Sequence, residues 1–202
     1  MKNKNIVPVF GKMSGRNEKE KNLNQQAKCF WFTGLPGSGK TTLAVALDKE
    51  LLKRGYTTVV LDGDNVRSGL NAGLGFGDND RNENIRRVAE VNKILISQGI
   101  ITINSFVSPT EEIRDMAKEI IGSDDFKLIW VSTPDEICEK RDVKLHYAKA
   151  RKGEIKSFTG VSSKFEIPQK SFLEIPSHRI TIEESVDLLL KKVLPLIEIK
   201  TK

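Results

Sequence analysis

Eight consecutive residues, Gly34-Leu35-Pro36-Gly37-Ser38-Gly39-Lys40-Thr41, fit the spacing G-x-x-x-x-G-K-[ST]. That spacing suits a cradle for phosphate. Glycines let successive backbone N–H groups turn inward on phosphate oxygens. A helix starting at the lysine adds the partial positive charge of its N-terminus. Lys40 would reach the β- and γ-phosphates of a nucleotide, Thr41 would offer its hydroxyl to Mg²⁺, and Thr42 follows in the same helical turn. A second chemical group stands downstream, Asp62-Gly63-Asp64-Asn65-Val66-Arg67. If this stretch continues an extended strand, Asp62 and Asp64 point to one side. Beside a triphosphate, one carboxylate (Asp62) can hold Mg²⁺ through water. The other (Asp64) can accept a hydrogen bond from an attacking hydroxyl and align it.

These groups need elements to hold them. Short apolar runs at Cys29–Thr33, Thr57–Leu61, Ile100–Ser105 and Phe126–Ser132 are rich in Val, Ile, Phe and Trp and read as buried strands. Helical patterns separate them over 40–54, 81–98 and 110–121. A last helix opens at the capping box Thr181-x-x-Glu184. Alternating strands and helices predict an α/β fold, a mostly parallel sheet covered by helices on both faces. In such sheets ligands bind beyond the carboxyl ends of the strands, where the cradle and the acidic pair both fall. Residues 1–28 are polar, and we expect a flexible or loosely docked arm there, with one domain over 29–202.

The 202 residues suit a single core. A net charge of +6 suggests nucleic acid until it is mapped. Seven basic and two acidic residues fall in 1–28, which leaves 29–202 near neutral, and within that body another seven and two fall in 140–156. No nucleic-acid partner is expected, because the body lacks a broad basic face. No membrane span is expected, because the longest apolar runs are far below the roughly 20 residues a spanning helix needs. The apolar patch Ile6–Phe10 is short for an export signal. Cys29 and Cys138 have no metal-ligand spacing and read as buried reduced thiols, so a cytoplasmic enzyme is the default. Trp31 and Trp130 lie in strands and read as core. His146 and His178 acquire no role.

A phosphate cradle specifies nucleotide, not reaction. A GTPase needs N-K-x-D after a strand, whereas Asn92-Lys93-Ile94-Leu95 lacks the Asp and falls in a helix. A motor needs an acidic pair at a strand end, whereas Phe126–Ser132 runs into Thr133-Pro134. A small kinase needs acidic and basic groups after the second strand and a late basic lid, and both are present. The series DGDN-V-R, Gly69-Leu70-Asn71, Leu74-Gly75-Phe76 and Asp80-Arg81-x-x-Asn84-Ile85-Arg86-Arg87 resembles the adenylylsulfate kinase family. So do Phe106-Val107-Ser108-Pro109, Thr133-Pro134, Cys138-Glu139-x-Arg141-Asp142 and Lys149-Ala150-Arg151 through Lys156-x-Phe158-Thr159-Gly160.

The resemblance implies transfer of the γ-phosphoryl of MgATP to the 3′-hydroxyl of adenylyl sulfate, in sulfate assimilation. Arg141 would join the ATP site. Arg67, Arg81 and Asn84 would hold the acceptor's ribose and sulfate–phosphate part, with Val107, Ser108 and Lys156 nearby. Phe76 and Phe158 would sandwich its adenine, and residues 140–160 would form a lid. Pairing into a homodimer is a further expectation, common in small kinases. Ser108 corresponds to a position described in the family as a phosphoserine intermediate, yet no base stands beside it in sequence, so substrate contact or turn-making competes with covalent catalysis. Departures from the family are Pro36 for Ser, Thr110-Glu111-Glu112 for an aromatic and an Arg, and Val143 and Leu145 for a Pro and a Gly in the lid.

Overall fold

The computed structural model describes residues 7, 9, 12–142 and 144–199, so Val143 and part of the Ile6–Phe10 patch lie outside the described residues. The chain runs α1 (Arg16–Leu23), β1 (Cys29–Thr33), α2 (Lys40–Lys53), β2 (Thr58–Asp62), α3 (Gly63–Ser68), α4 (Asp78–Ser97) and β3 (Ile101–Ser105). It continues with α5 (Glu111–Ile121), β4 (Phe126–Val131), α6 (Asp135–Arg141), α7 (His146–Arg151), β5 (Leu173–Ile175) and α8 (Ile182–Ile197). The five strands form one parallel sheet in the order β2-β3-β1-β4-β5.

The period of two along a strand sorts the core into two layers. From the central strand β1, Phe30 and Phe32 enter one layer with Leu43 and Leu47 of α2 and Val186, Leu189 and Val193 of α8. Trp31 enters the other with Val88 of α4 and Ala117 of α5. The capping box of α8 forms as expected, Thr181 Oγ1 accepting from the Glu184 N–H at 3.1 Å. Two polar residues of α4 are buried, Asn84 and Asn92, and Asn92 is fully so. It and Asn104 of β3 exchange two amide hydrogen bonds of 2.8 Å each. A satisfied buried pair of this kind fixes helix against strand.

Several boundaries differ from expectation. The second strand ends at Asp62, not Leu61, and Asp64 lies in the first turn of α3, so strand alternation does not align the two carboxylates. β5 is three residues long and has no counterpart in the apolar pattern. The second half of the expected arm is ordered against the body. Arg16 of α1 pairs with Asp125 at 2.6 Å, and Lys28 pairs with the same carboxylate at 2.8 Å. Burial would raise the Asp125 carboxyl, but hydrogen bonds and charge from Arg16 and Lys28 outweigh it and hold it below the usual carboxylate range. Gln25 is fully buried, donating to the Gly99 carbonyl at 2.8 Å and accepting from the Thr57 N–H at 2.7 Å. The Gln26 N–H meets the carbonyl of Ile197, the last residue of α8, at 2.7 Å.

Cys29 and Cys138 are buried free thiols, and burial pushes them up to about 12 and about 11. Trp31 is core, with no exposed surface. Trp130 is only half-buried, and lines a cleft beside Phe165 and Pro176. Among the described residues, no helix is long and apolar enough to cross a membrane.

Candidate active site

The loop between β1 and α2 turns through left-handed backbone at Gly37 (φ 77°) and Gly39 (φ 102°), a conformation that side chains resist. A Cβ at Gly37 would also lie 2.8 Å from the Cys138 carbonyl oxygen. The far side of the loop is fastened from β4 and β5. Thr133 Oγ1 and Ser177 Oγ both donate to the Ser38 carbonyl, at 3.0 and 2.7 Å. Lys40 is 8% exposed and folds its ammonium over the loop, donating to the carbonyls of Gly34 (3.0 Å) and Leu35 (2.8 Å). Burial lowers Lys40 to about 8, against the opposing charges of Asp62 and Asp64.

At the mouth of the loop Thr41 Oγ1 donates to Asp62 Oδ2 at 2.8 Å and lies 3.1 Å from Ser105 Oγ. Two hydroxyls and a carboxylate give the hard oxygen donors that Mg²⁺ takes when one or two side chains and substrate phosphates share it. The donor set of Thr41, Asp62 and Ser105 therefore fits the ion. Asp62 also caps α3, its Oδ1 accepting from the Asp64 N–H at 3.0 Å. The cap turns Asp64 outward, where Lys144 forms an ion pair with it.

The residues expected to hold the acceptor gather around the start of α4. Arg67 donates to the carbonyls of Leu74 (3.2 Å) and Gly75 (2.7 Å), and its guanidinium lies 4.5 Å from the centre of the Phe76 ring. Phe76 is 61% exposed, so packing does not account for it. Arg81 donates to the Phe76 carbonyl at 2.8 Å, to Thr159 Oγ1 at 2.7 Å and to the Ser157 carbonyl. It thus joins the two segments that carry Phe76 and Phe158. Phe158 is half-buried, edge-on to Tyr147 at 5.0 Å, in a small cluster with Leu35 and Cys138. Asn84 is buried, its Oδ1 accepting from Asn71 Nδ2 at 3.0 Å. Lys156 is exposed. Val107 is half-buried, and its carbonyl accepts from Thr33 Oγ1 at 2.7 Å.

Ser108 sits at φ 42° and is 2% exposed. Its Oγ accepts from Trp31 Nε1 at 2.9 Å, and its carbonyl accepts from Arg114 Nη1 at 2.8 Å. Arg114 is also 2% exposed, bonded to the Glu166 carbonyl at 2.9 Å and paired with Glu111. The acidic departure at Glu111 thus serves to hold a buried arginine.

The segment expected to act as a lid folds back on the cradle. Tyr147 of α7 donates its hydroxyl to the Pro36 carbonyl at 3.0 Å, and Leu145 just before α7 adopts φ 55°. Arg141 reaches over the loop to Ser177, Nη2 donating to its carbonyl at 3.1 Å. Ser105, Ser177, Arg114 and Lys144 are site residues the sequence reading omits. Ser177 follows β5, so recognising that strand would have pointed to it by the strand-end rule.

A phosphate cradle after the central strand, acidic and basic groups after β2 and β3, and the 140–160 segment folded against both define a small P-loop kinase, an ATP-dependent phosphotransferase. The adenylylsulphate kinase family profile matches residues 26–176. An adenylyl-sulfate kinase of Bacteroides thetaiotaomicron is 56% identical over 201 residues, 99% of this chain and 100% of that protein. One from Clostridium acetobutylicum is 49% identical over 186 residues, 92% of each. The structure of the Mycobacterium tuberculosis APS kinase CysC in complex with AMPPNP and APS is 40% identical, with a TM-score of 0.79 over 84% of this chain and 98% of that one. The chain belongs to the adenylylsulphate kinase family.

Proposed function

We propose that the chain transfers the γ-phosphoryl of MgATP directly to the 3′-hydroxyl of adenylyl sulfate, giving 3′-phosphoadenylyl sulfate and ADP. The observation that carries this is the junction of Thr41, Asp62 and Asp64. A cradle hydroxyl bonds one carboxylate at 2.8 Å, and that carboxylate caps the turn presenting the other. Lys40 and the cradle N–H groups bind the transferring phosphates. Thr41 and Asp62 hold Mg²⁺, which when bound neutralises charge on those phosphates. Asp64 accepts the proton of the 3′-hydroxyl as its oxygen bonds phosphorus.

Arg67, Arg81 and Asn84 hold the acceptor, and the two phenylalanines flank its base. Planar guanidinium forks suit a sulfate–phosphate group. Residues 140–160 act as the lid, excluding water from the phosphoryl group. The test is ATP consumption with adenylyl sulfate, beside a panel of nucleosides and a control without acceptor. Adenylyl sulfate is expected to be preferred over every nucleoside. Equal or faster turnover with a nucleoside, or consumption unaffected by adenylyl sulfate, refutes the reading.

A further inference from the structure

Strands β4 and β5 end alike. In each, the N–H of the second residue beyond the strand folds back onto the carbonyl of the strand's last residue, Thr133 to Val131 at 3.1 Å and Ser177 to Ile175 at 3.0 Å. Val131 and Ile175 are partners in the sheet. Equal turns from one register set two hydroxyls side by side, 2.7 Å apart. Both face one atom, the carbonyl oxygen of Ser38, with Thr133 Oγ1 at 3.0 Å and Ser177 Oγ at 2.7 Å. Ser38 is fully buried and Thr133 nearly so, which leaves little water to compete for that carbonyl.

What the hydroxyls hold is a peptide plane. Ser38 stands between Gly37 and Gly39, and glycine on both sides lets the backbone turn freely. The loop alone therefore does not decide which way the Ser38–Gly39 peptide faces. A trans peptide is planar, with its carbonyl and its N–H on opposite edges. Drawing the Ser38 carbonyl toward β4 and β5 turns the Gly39 N–H away from them, into the cradle, where N–H groups wrap phosphate. Ser177 also sits directly against this peptide, since a Cβ on Gly39 would lie 3.5 Å from its Oγ. Arg141 covers the pair, Nη1 lying 3.4 Å from the Ser38 carbonyl and 3.3 Å from Ser177 Oγ. Those contacts are longer than the hydroxyls' own. An Arg141 that turns to ATP gives them up, and the two short side chains still hold the carbonyl.

We propose that Ser177, paired with Thr133, is a positioning residue for ATP: the two hydroxyls lock the Ser38–Gly39 peptide so that the Gly39 N–H is aimed at phosphate before the nucleotide arrives. This rests on the reading of residues 34–41 as the ATP cradle. A carbonyl oxygen has two lone pairs, and either hydroxyl alone can hold it. Losing one hydroxyl loosens the peptide. Losing both frees it, and ATP must then order it on binding, at a cost in affinity.

The experiment compares the unsubstituted enzyme with Ser177→Ala, Thr133→Val, the double variant and Ser177→Thr. It reads ATP affinity by calorimetry, KM for adenylyl sulfate at saturating ATP, and a melting curve for each. Each single loss is expected to weaken ATP binding by about 2- to 10-fold, the worth of one hydrogen bond. The double variant is expected to lose more than the product of the two single factors. Ser177→Thr keeps the hydroxyl and is expected to bind ATP within about twofold of the parent, and KM for adenylyl sulfate is expected to stay within about threefold throughout. A double variant no weaker than the product overturns the proposal. So does a Ser177→Thr as weak as Ser177→Ala, since packing and not the hydroxyl would then matter. A rise in acceptor KM that matches the loss of ATP affinity also overturns it, because the damage would then be general. If the double variant no longer melts cooperatively, the single variants decide, and ATP affinity within about twofold of the parent in both overturns the proposal. An unsubstituted enzyme that binds no ATP overturns it together with the functional reading. One that binds ATP but leaves adenylyl sulfate unphosphorylated sinks the functional reading alone, and the ATP titrations still decide this proposal.

Discussion

Replacing Ser108 separates direct transfer from a covalent phosphoserine route. A serine nucleophile needs a base to take its proton. Here the partner of Ser108 Oγ is a donor, the Trp31 indole N–H at 2.9 Å. Ser108→Ala removes the acceptor and leaves that N–H buried and unpartnered, a cost of about 1–3 kcal/mol. For a chain of this size each kcal/mol moves the melting temperature by about 2–4 °C, so a drop of about 2–12 °C is expected. Ser108→Gly loses the same bond but relieves a left-handed residue at φ 42°. That relief, about 1–2 kcal/mol, is offset by about 0.5–1 kcal/mol of added chain flexibility, so Gly should match or slightly exceed Ala. Adding Trp31→Phe to Ser108→Ala should cost less than the two single losses combined, because both polar partners are then gone. In steady-state assays Ser108→Ala should keep kcat within about tenfold, whereas loss of a true nucleophile costs on the order of 10⁴ or more. A kcat loss of that size in a variant that still melts cooperatively refutes direct transfer. A variant with unchanged melting refutes the indole bond.

Phe76→Ala should raise KM for adenylyl sulfate by about 5- to 150-fold, the range for losing one base stack, without shifting the melting temperature, because the ring is 61% exposed. Phe158→Ala should raise the same KM and also lower the melting temperature, since that ring packs against Tyr147 at 5.0 Å. Affinity for ATP alone, by calorimetry, should stay put in both, and a selective loss of ATP binding would reassign the pocket. Burial lowers Lys40 to about 8 from 10.5, so between those pH values the unfolded chain holds a proton the folded chain has released. This group therefore makes stability rise with pH across about 8–10.5, while ATP affinity, which needs the ammonium, falls above about 8. Denaturant melts of Lys40→Met should lack that slope, and ATP titrations of the unsubstituted enzyme at pH 7 and 9 should differ. Leu145→Gly should be neutral to slightly stabilising, since a leucine 63% exposed at φ 55° gives up little packing and sheds left-handed strain. A loss above about 1 kcal/mol would show that its side chain is packed in solution.

What could be read from the sequence was whatever one local segment determines. The cradle, four of the five strands and the α8 capping box each announce themselves by spacing or apolar period. What could not be read depends on partners distant in sequence. Helix α1 has no buried residue and no apolar stripe. Its docking comes from Arg16 meeting Asp125, 109 positions away. Strand β5 is Leu-Glu-Ile, too short to show a period, and exists because β4 offers it a free edge. Asp64 looked like the end of a strand because Gly63 hides the onset of α3. The roles of Arg114 and Lys144 are equally non-local, since each is defined by what it reaches: Ser108 and Glu166 for the one, Asp64 for the other.

The hydrogen bond from Gln26 to Ile197 brings the entrance of the first sheet strand beside the exit of the last helix. The folded body is therefore close to a ring in its connectivity, with one seam on the side of the sheet away from the cradle. Such a chain can be rewired: a short polar bridge across the seam, with new ends opened elsewhere, preserves every strand pairing. Opening the new ends at Gly153, an exposed glycine in the 140–160 segment, would leave the core and the phosphate cradle whole while cutting that segment in two. A permutant of that kind should still bind ATP, and if the 140–160 segment is the proposed lid it should lose command of closure, one flap having become two independent tails.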